Sequence, residues 1–133
     1  MPHITYENNR IFYREQGAGA LLIILPGNTA SSAVHVGELE HFAQTHHAVA
    51  LDLPGTGQSD RLARWPEDWW DYGAGCVAAL IDRLDEGPAV LVGTSGGAVV
   101  ALRTAIRTPT RVRAVVADSC VARQPPERLE AEV

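Results

Sequence analysis

The residues best suited to chemistry in this 133-residue chain are Ser95 and the two glycines that flank it, Gly93 and Gly97. An apolar, β-branched run at residues 89–92 precedes this G-x-S-x-G pattern, and small and apolar residues at helical spacing follow it. A strand that turns directly into a helix holds such a serine in a strained backbone conformation and points its hydroxyl out of the sheet. Because glycines lack the Cβ atoms that would clash in so tight a turn, the pattern predicts a nucleophilic serine beside a helix N-terminus.

A serine between two glycines also arises by chance, so the prediction needs support from the elements around it. Apolar runs predict buried strands at residues 20–25, 47–51, 89–92 and 113–117, and a hairpin of two short strands at residues 3–7 and 10–15 precedes them. Helical spacing of apolar residues follows the first three buried strands, with Pro66 at the first position of the longest helix. This alternation predicts an α/β fold, a mostly parallel sheet with helices on both faces.

Four polar residues fall where the predicted strands end: Asn28, Asp52, Ser95 and Asp118. The carboxyl ends of parallel strands meet at one edge of a sheet, and ligands bind at that edge. The sequence therefore predicts a functional site built around Ser95 at this edge.

The composition excludes several other classes of function. The formal net charge of -5 argues against nucleic acid as a partner, and no apolar segment reaches the roughly 20 residues of a membrane span. The N-terminus lacks a signal-peptide pattern, and two cysteines are too few for a disulfide framework, so we expect a cytoplasmic protein. The spacing of cysteine and histidine predicts no metal site, and no P-loop is present.

Three motifs together resemble the N-terminal portion of an α/β-hydrolase, and the resemblance covers almost the whole chain. They are LPGN at residues 25–28, DLPGTGQS at residues 52–59 and GTSGG at residues 93–97. The resemblance implies that Ser95 is the nucleophile and that the backbone N–H groups of Asn28 and Gly96 form an oxyanion hole. It implies that the loop at residues 52–59 is structural, and it requires no cofactor. Pro26 stands where many members have a histidine, which is not their catalytic base.

The resemblance also indicates the class of reaction. Serine at the bend, in place of aspartate, favours hydrolysis of an ester, thioester, amide or C–C bond over dehalogenation or epoxide opening. We therefore expect a serine hydrolase that acts on a carboxylic ester or a related acyl bond of a small molecule. The substrate itself is not identified by the sequence.

A catalytic base for Ser95 is missing from its expected place. The family's order is serine, acid, histidine, yet all five histidines precede Ser95, at positions 3, 35, 41, 46 and 47. His35 is the nearest to the Asn28 loop, and we interpret it as a surface residue. Asp118 is either a triad acid, as in some relatives, or a turn residue, and we interpret Cys120 as a small buried residue.

The sheet is also unfinished, because the strand at residues 113–117 is apolar on both faces, as an interior strand would be, yet no further strand follows to pair with it. Together with the missing base, this predicts a companion segment or chain that completes the sheet. We expect residues 1–120 to be the N-terminal portion of a hydrolase core and residues 121–133 to begin the connection to a lid. The acid and the histidine would come from a missing C-terminal segment or a second chain, this chain being a shortened form, a nicked product or a natural half. Two alternatives remain open: a non-catalytic module that binds a small ligand, and a homodimer that completes its sheets edge to edge.

Three tryptophans, Trp65, Trp69 and Trp70, follow the second strand-end loop. They could line the rim of a pocket, but we expect them to serve core packing and surface covering.

Overall fold

The computed structural model describes residues 2–28 and 30–119, so the expectations for Cys120 and residues 121–133 lie outside the described residues. The strands are β1 (His3–Tyr6), β2 (Asn9–Gln16), β3 (Ala20–Leu25), β4 (His46–Leu51), β5 (Ala89–Thr94) and β6 (Val112–Asp118). The helices are α1 (Val36–Phe42), α2 (Trp69–Leu84) and α3 (Gly96–Arg107), with short 3₁₀ helices at Ser32–His35 and Pro109–Arg111.

The six strands form one sheet in the order β1-β2-β4-β3-β5-β6. The β1–β2 hairpin is antiparallel, and β2 pairs antiparallel with β4. The strands β4, β3, β5 and β6 run parallel to one another. The predicted α/β fold with a mostly parallel sheet is confirmed, and the carboxyl ends of its four parallel strands share one edge.

The central strand β3 shows why both faces of the sheet must be covered. Its alternate residues Leu21, Ile23 and Leu25 pack into a core that α2 and α3 share through residues such as Val77 and Val100. The residues between them, Leu22 and Ile24, pack on the opposite face with Leu39 of α1. A continuously apolar strand is typical of such a doubly covered sheet.

The start of the longest helix differs from the sequence-based prediction. The helix α2 begins at Trp69 and not at Pro66, because the Asp68 side chain accepts a hydrogen bond from the N–H of Asp71 (3.1 Å) and caps the helix there. The strand β6 has the apolar pattern of an interior strand, but its residues are exposed or half-buried and Val116 is 55 % exposed, as expected for a sheet that is unfinished at this edge. Among the described residues, only β5 pairs with β6, which places β6 at the sheet edge.

Asp52, at the end of β4, organises the loop that follows. Its buried carboxylate accepts hydrogen bonds from the backbone N–H groups of Ser32 (2.6 Å) and Gln58 (2.8 Å). The Ser59 hydroxyl donates to the Asp52 carbonyl (2.6 Å) and accepts from the N–H of Phe12 (2.9 Å). These bonds tie the loop to β2 and to the segment after β3, and they give the loop at residues 52–59 the structural role that the resemblance implies.

We expect Asp52→Ala to lower the free energy of unfolding by about 3 kcal/mol, because the buried N–H of Ser32 and the partly buried N–H of Gln58 lose their acceptor. Urea denaturation of the variant and of the wild type measures the difference. The control is Glu40→Ala, which removes an exposed carboxylate from α1. A loss for Asp52→Ala no larger than that for the control would contradict this account.

His47, the second residue of β4, connects three parts of the fold at the opposite edge of the sheet. Its Nε2 lies 2.8 Å from a carboxylate oxygen of Glu15 on β2, and its Nδ1 lies 2.8 Å from Glu86 after α2. Burial lowers the pKa of His47, but the hydrogen bonds and charges of Glu86 and Glu15 outweigh burial and raise the pKa above its usual value. A carboxylate at each ring nitrogen favours the doubly protonated imidazolium.

The stabilisation by His47 should therefore depend on pH. Since its pKa is raised in the folded state, the contribution is complete below pH 6.5 and is lost as the pH rises through the folded-state pKa. We expect His47→Gln to cost about 1 kcal/mol at pH 6 and clearly less at pH 9, both ion pairs being partly exposed to solvent. Denaturation at the two pH values tests this, and a cost that is equal or larger at pH 9 would refute it.

Candidate active site

Ser95 lies at the bend between β5 and α3, and its side chain is exposed. Its backbone has φ 53° and ψ -118°, a left-handed conformation that non-glycine residues adopt at a cost of order 1–3 kcal/mol. The Ser95 N–H donates to the carbonyl of Asp118 at the end of β6 (2.9 Å), and the Ser95 carbonyl accepts from the N–H of Ala98 (3.0 Å). The structure thus puts the serine where the sequence predicts it, while its role as nucleophile stays a prediction.

The glycines of the motif are required by close approaches of backbone to backbone. A Cβ atom on Gly93 would collide with the carbonyl group of Gly97, and a Cβ atom on Gly97 would collide with the carbonyl oxygens of Leu25 and Pro26. The first turn of α3 is therefore pressed against both the end of β5 and the end of β3. No other residue type leaves room for this turn.

The same close packing brings Asn28 to the bend. A Cβ atom on Gly96 would collide with the side-chain amide of Asn28 and would lie 3.3 Å from the Asn28 backbone nitrogen. A Cβ atom on Gly27 would lie 3.5 Å from the Cβ of Ser95. The structure therefore brings together Ser95, Gly96 and Asn28, the three residues singled out from the sequence, and their roles stay predictions.

The electrostatics at the bend favour negative charge. The helix α3 runs for 12 residues from Gly96, and its first turn contains no acidic residue. The N-terminal end of a helix carries a partial positive charge on its N–H groups. An oxygen that becomes negatively charged beside Ser95 would face this end of α3.

No histidine in the described residues bonds to the Ser95 hydroxyl. His46 and His47 begin β4, at the edge of the sheet opposite to Ser95. His41 lies on α1 against Phe42, and His3 begins β1. His35 ends a 3₁₀ helix, and its buried Nδ1 lies 3.6 Å from the Glu38 carboxylate.

Asp118, Asp52 and Cys76 are the other candidate reactive groups, and none of them bonds through its side chain to the Ser95 hydroxyl in the described residues. The Asp118 carbonyl holds the Ser95 N–H, but its exposed carboxylate accepts only from the Ser119 hydroxyl (3.4 Å) among the described residues. The Asp52 carboxylate is used by the N–H groups of Ser32 and Gln58. Burial raises the pKa of the Cys76 thiol to about 12, so this cysteine stays protonated and unreactive.

A groove of about 540 Å³ opens beside Asn28. Its walls include the loop after β4 and all three tryptophans, Trp65, Trp69 and Trp70. The expectation of core packing and surface covering holds for the buried Trp69 and the exposed Trp65, and the alternative that was not favoured, that the three tryptophans line the rim of a pocket, holds as well. The only signal in the sequence was three tryptophans within six residues after a strand-end loop.

In residues 2–28 and 30–119, no group of three or more histidine, cysteine or acidic side chains is arranged to hold a metal ion. None of the helices in this part of the chain has both the length and the hydropathy needed to cross a bilayer.

Comparison with known proteins agrees with this architecture. The family model of the alpha/beta hydrolase fold matches residues 20–132. The chain is 37% identical over 107 residues to a 2-(acetamidomethylene)succinate hydrolase of Mesorhizobium japonicum, covering 78% of this chain and 37% of that protein. It is 30% identical over 113 residues to an (E)-2-((N-methylformamido)methylene)succinate hydrolase of Acinetobacter baylyi, covering 83% of this chain and 41% of that protein.

Among solved structures, Est816, described as an N-acyl homoserine lactone degrading enzyme, superposes with a TM-score of 0.87 at 28% identity. That match covers 98% of this chain and 51% of Est816. The chain thus spans about two fifths of the length of these curated relatives and half of this structure. The strand order, the bend at Ser95 and the extent of the family match lead to one conclusion: the chain belongs to the alpha/beta hydrolase fold family.

Proposed function

We propose that this chain is the N-terminal part of a serine hydrolase that cleaves a carboxylic ester or a related acyl bond of a small molecule. Ser95 is the nucleophile at the elbow between β5 and α3, and the backbone N–H groups of Gly96 and Asn28 form the oxyanion hole. The protein works in the cytoplasm, without a cofactor.

The observation that carries this proposal is the conformation of Ser95. An exposed serine with φ 53° at the start of a helix is costly to build, and backbone strain of this kind is concentrated at functional sites. The bend also sets the serine beside Gly96 and Asn28, whose backbones approach each other closely. Both features fit a hydroxyl that attacks a carbonyl carbon while amide hydrogens receive the carbonyl oxygen.

The chemistry follows from this placement. The Ser95 oxygen forms a bond to the acyl carbon as a base removes the hydroxyl proton, and the carbonyl oxygen becomes an oxyanion. One preorganised N–H donor to such an oxyanion typically lowers the barrier by about 3 kcal/mol. The leaving group departs with a proton, and water then releases the acyl group from Ser95.

The relatives reported above are named as hydrolases, and the solved structure as a lactone-degrading enzyme. These names support hydrolysis as the class of reaction and a small molecule as the substrate. They differ in substrate, so they do not select one for this chain.

The acid and the base come from outside residues 1–120 in this proposal. The curated relatives are more than twice as long as the part that this chain matches. Residues 121–133 begin the connection to a lid, and a companion segment, contiguous or separate, supplies the remaining strands and an imidazole for Ser95.

Ser95→Ala should abolish covalent labelling by a fluorophosphonate and lower kcat/KM for a reactive ester at least about a thousandfold, because the attacking oxygen is gone. Intact-protein mass spectrometry measures the label on the natural gene product. Ser119→Ala is the matched control, since it removes another exposed hydroxyl one residue beyond β6 and should keep the label. Full labelling of Ser95→Ala would refute the proposal.

A second function, a non-catalytic module that binds a small ligand, is favoured by one observation. The Ser95 hydroxyl has no imidazole partner within residues 2–28 and 30–119. In such a protein the bend would shape a pocket, and no acyl-enzyme would form.

The mass and labelling of the natural gene product separate these functions. We expect a polypeptide that continues beyond residue 133, or a second chain. Replacing one histidine of that companion by alanine should abolish fluorophosphonate labelling of Ser95. A protein that contains the companion but reacts with no fluorophosphonate would support the binding module. Exactly two copies of this chain and no other polypeptide would support the homodimer.

A further inference from the structure

Three indole rings line the groove beside Asn28. The rings of Trp65 and Trp69 are stacked, with centroids 5.8 Å apart and planes 6° from parallel. Trp70 meets Trp69 edge to face, with centroids 6.4 Å apart and an interplanar angle of 76°. Trp65 and Trp70 are 62 % and 37 % exposed, so flat apolar surface faces the solvent here.

These rings are held in place before any ligand arrives. Trp69 is buried, and its Nε1–H donates to the Pro54 carbonyl (2.9 Å). Trp65 lies over Gly55, where a Cβ atom would come within 3.1 Å of the indole ring. A ligand that stacks on Trp65 would therefore lose little free energy in ordering the ring, which is the usual advantage of a preformed site.

The charges of the groove do not select an ion. Arg61 and Glu67 both line it and carry opposite signs. The Arg61 guanidinium donates to the carbonyls of Gly55 (2.8 Å) and Gly57 (2.6 Å), so it serves to hold the loop wall. The lining also contains three indole rings, and these suit a flat aromatic ring.

The groove is also continuous with the proposed reaction centre, because Asn28 lines it and packs against Gly96. Its volume of about 540 Å³ is that of a pocket for a small molecule. We propose that this tryptophan groove is the subsite for an aromatic ring of a neutral acyl substrate, held while its carbonyl lies at Ser95. This inference rests on the proposed function, and its test is separate from the test of that function.

The test uses two hydrolysis-resistant probes of similar size, N-methyl-2-phenylacetamide and N-methyl-2-cyclohexylacetamide. NMR titration of the natural gene product carrying Ser95→Ala, followed at the indole N–H signals, gives both dissociation constants. Because aromatic pairs gain beyond the burial of area, we expect the phenyl probe to bind about fivefold more tightly. The cyclohexyl ring is the more hydrophobic of the two, so general hydrophobic binding would give the reverse order.

Variants locate the preference. Trp65→Leu should remove the difference between the probes, and Trp65→Phe, which keeps a flat face, should retain part of it. Since Trp65 is largely exposed, both variants are expected to fold. Ile106→Ala is the control, because it removes an apolar side chain that is 78 % exposed on α3 and does not line the groove; it should leave both dissociation constants unchanged.

Equal binding of the two probes, or a preference that survives Trp65→Leu, would overturn the aromatic subsite. Fluorophosphonate labelling of the protein with Ser95 intact reports on the proposed function independently. Labelling together with equal binding would overturn the subsite and leave the hydrolase standing. A phenyl preference lost in Trp65→Leu, with the phenyl probe slowing the labelling more than the cyclohexyl probe does, would support the subsite at the reaction centre.

Discussion

The contact on which the structure most depends is the approach of the first turn of α3 to the end of β3. Gly97 meets the carbonyls of Leu25 and Pro26 at a distance that leaves no room for a Cβ atom. This approach forces the chain to leave β5 by an abrupt bend, and Ser95 takes the left-handed conformation there. It also sets the segment after β3 against Gly96. One steric constraint thus determines both where the serine points and which backbone lies beside it.

A second loop extends this edge of the sheet sideways. The Asp52 carboxylate anchors the loop after β4, and the carbonyls of that loop then serve as acceptors. The Pro54 carbonyl holds the indole of Trp69, and those of Gly55 and Gly57 hold Arg61. The loop for which the resemblance implies only a structural role therefore also fixes one wall of the groove. Both roles are possible because the backbone carbonyls beyond a strand end make no hydrogen bonds to a neighbouring strand and can accept from side chains.

The sequence was informative wherever one physical requirement dominated. Continuous apolar runs predicted β3, β4 and β5, since a strand buried on both faces has no polar positions. Glycines at 93 and 97 predicted the bend, since only glycine fits it. The start of α2 was wrong because the cap at Asp68 competed with Pro66, and local propensity does not decide between two good start signals. The apolar pattern of β6 is typical of an interior strand, and its exposure at the sheet edge agrees with the expectation of an unfinished sheet, since burial depends on a neighbouring strand.

The tryptophan groove was considered from the sequence but was not favoured, for a different reason. The sequence shows three large apolar residues, and these usually fill a core; whether their faces end up stacked, edge-on or exposed depends on the path of the loop that carries them.

The proposed hydrolase would be divided unevenly between what this chain carries and what it lacks. In that proposal the backbone N–H groups of Gly96 and Asn28, with the N-terminus of α3, would stabilise an oxyanion, an electrostatic effect that needs no proton transfer. None of the described histidines bonds to the Ser95 hydroxyl, and His47 is held by Glu15 and Glu86 at the far edge of the sheet. In serine hydrolases, the oxyanion hole and binding alone retain a rate enhancement of about 10³–10⁴ over water when the triad is removed. The proposed activity would therefore require an imidazole on the exposed side of Ser95.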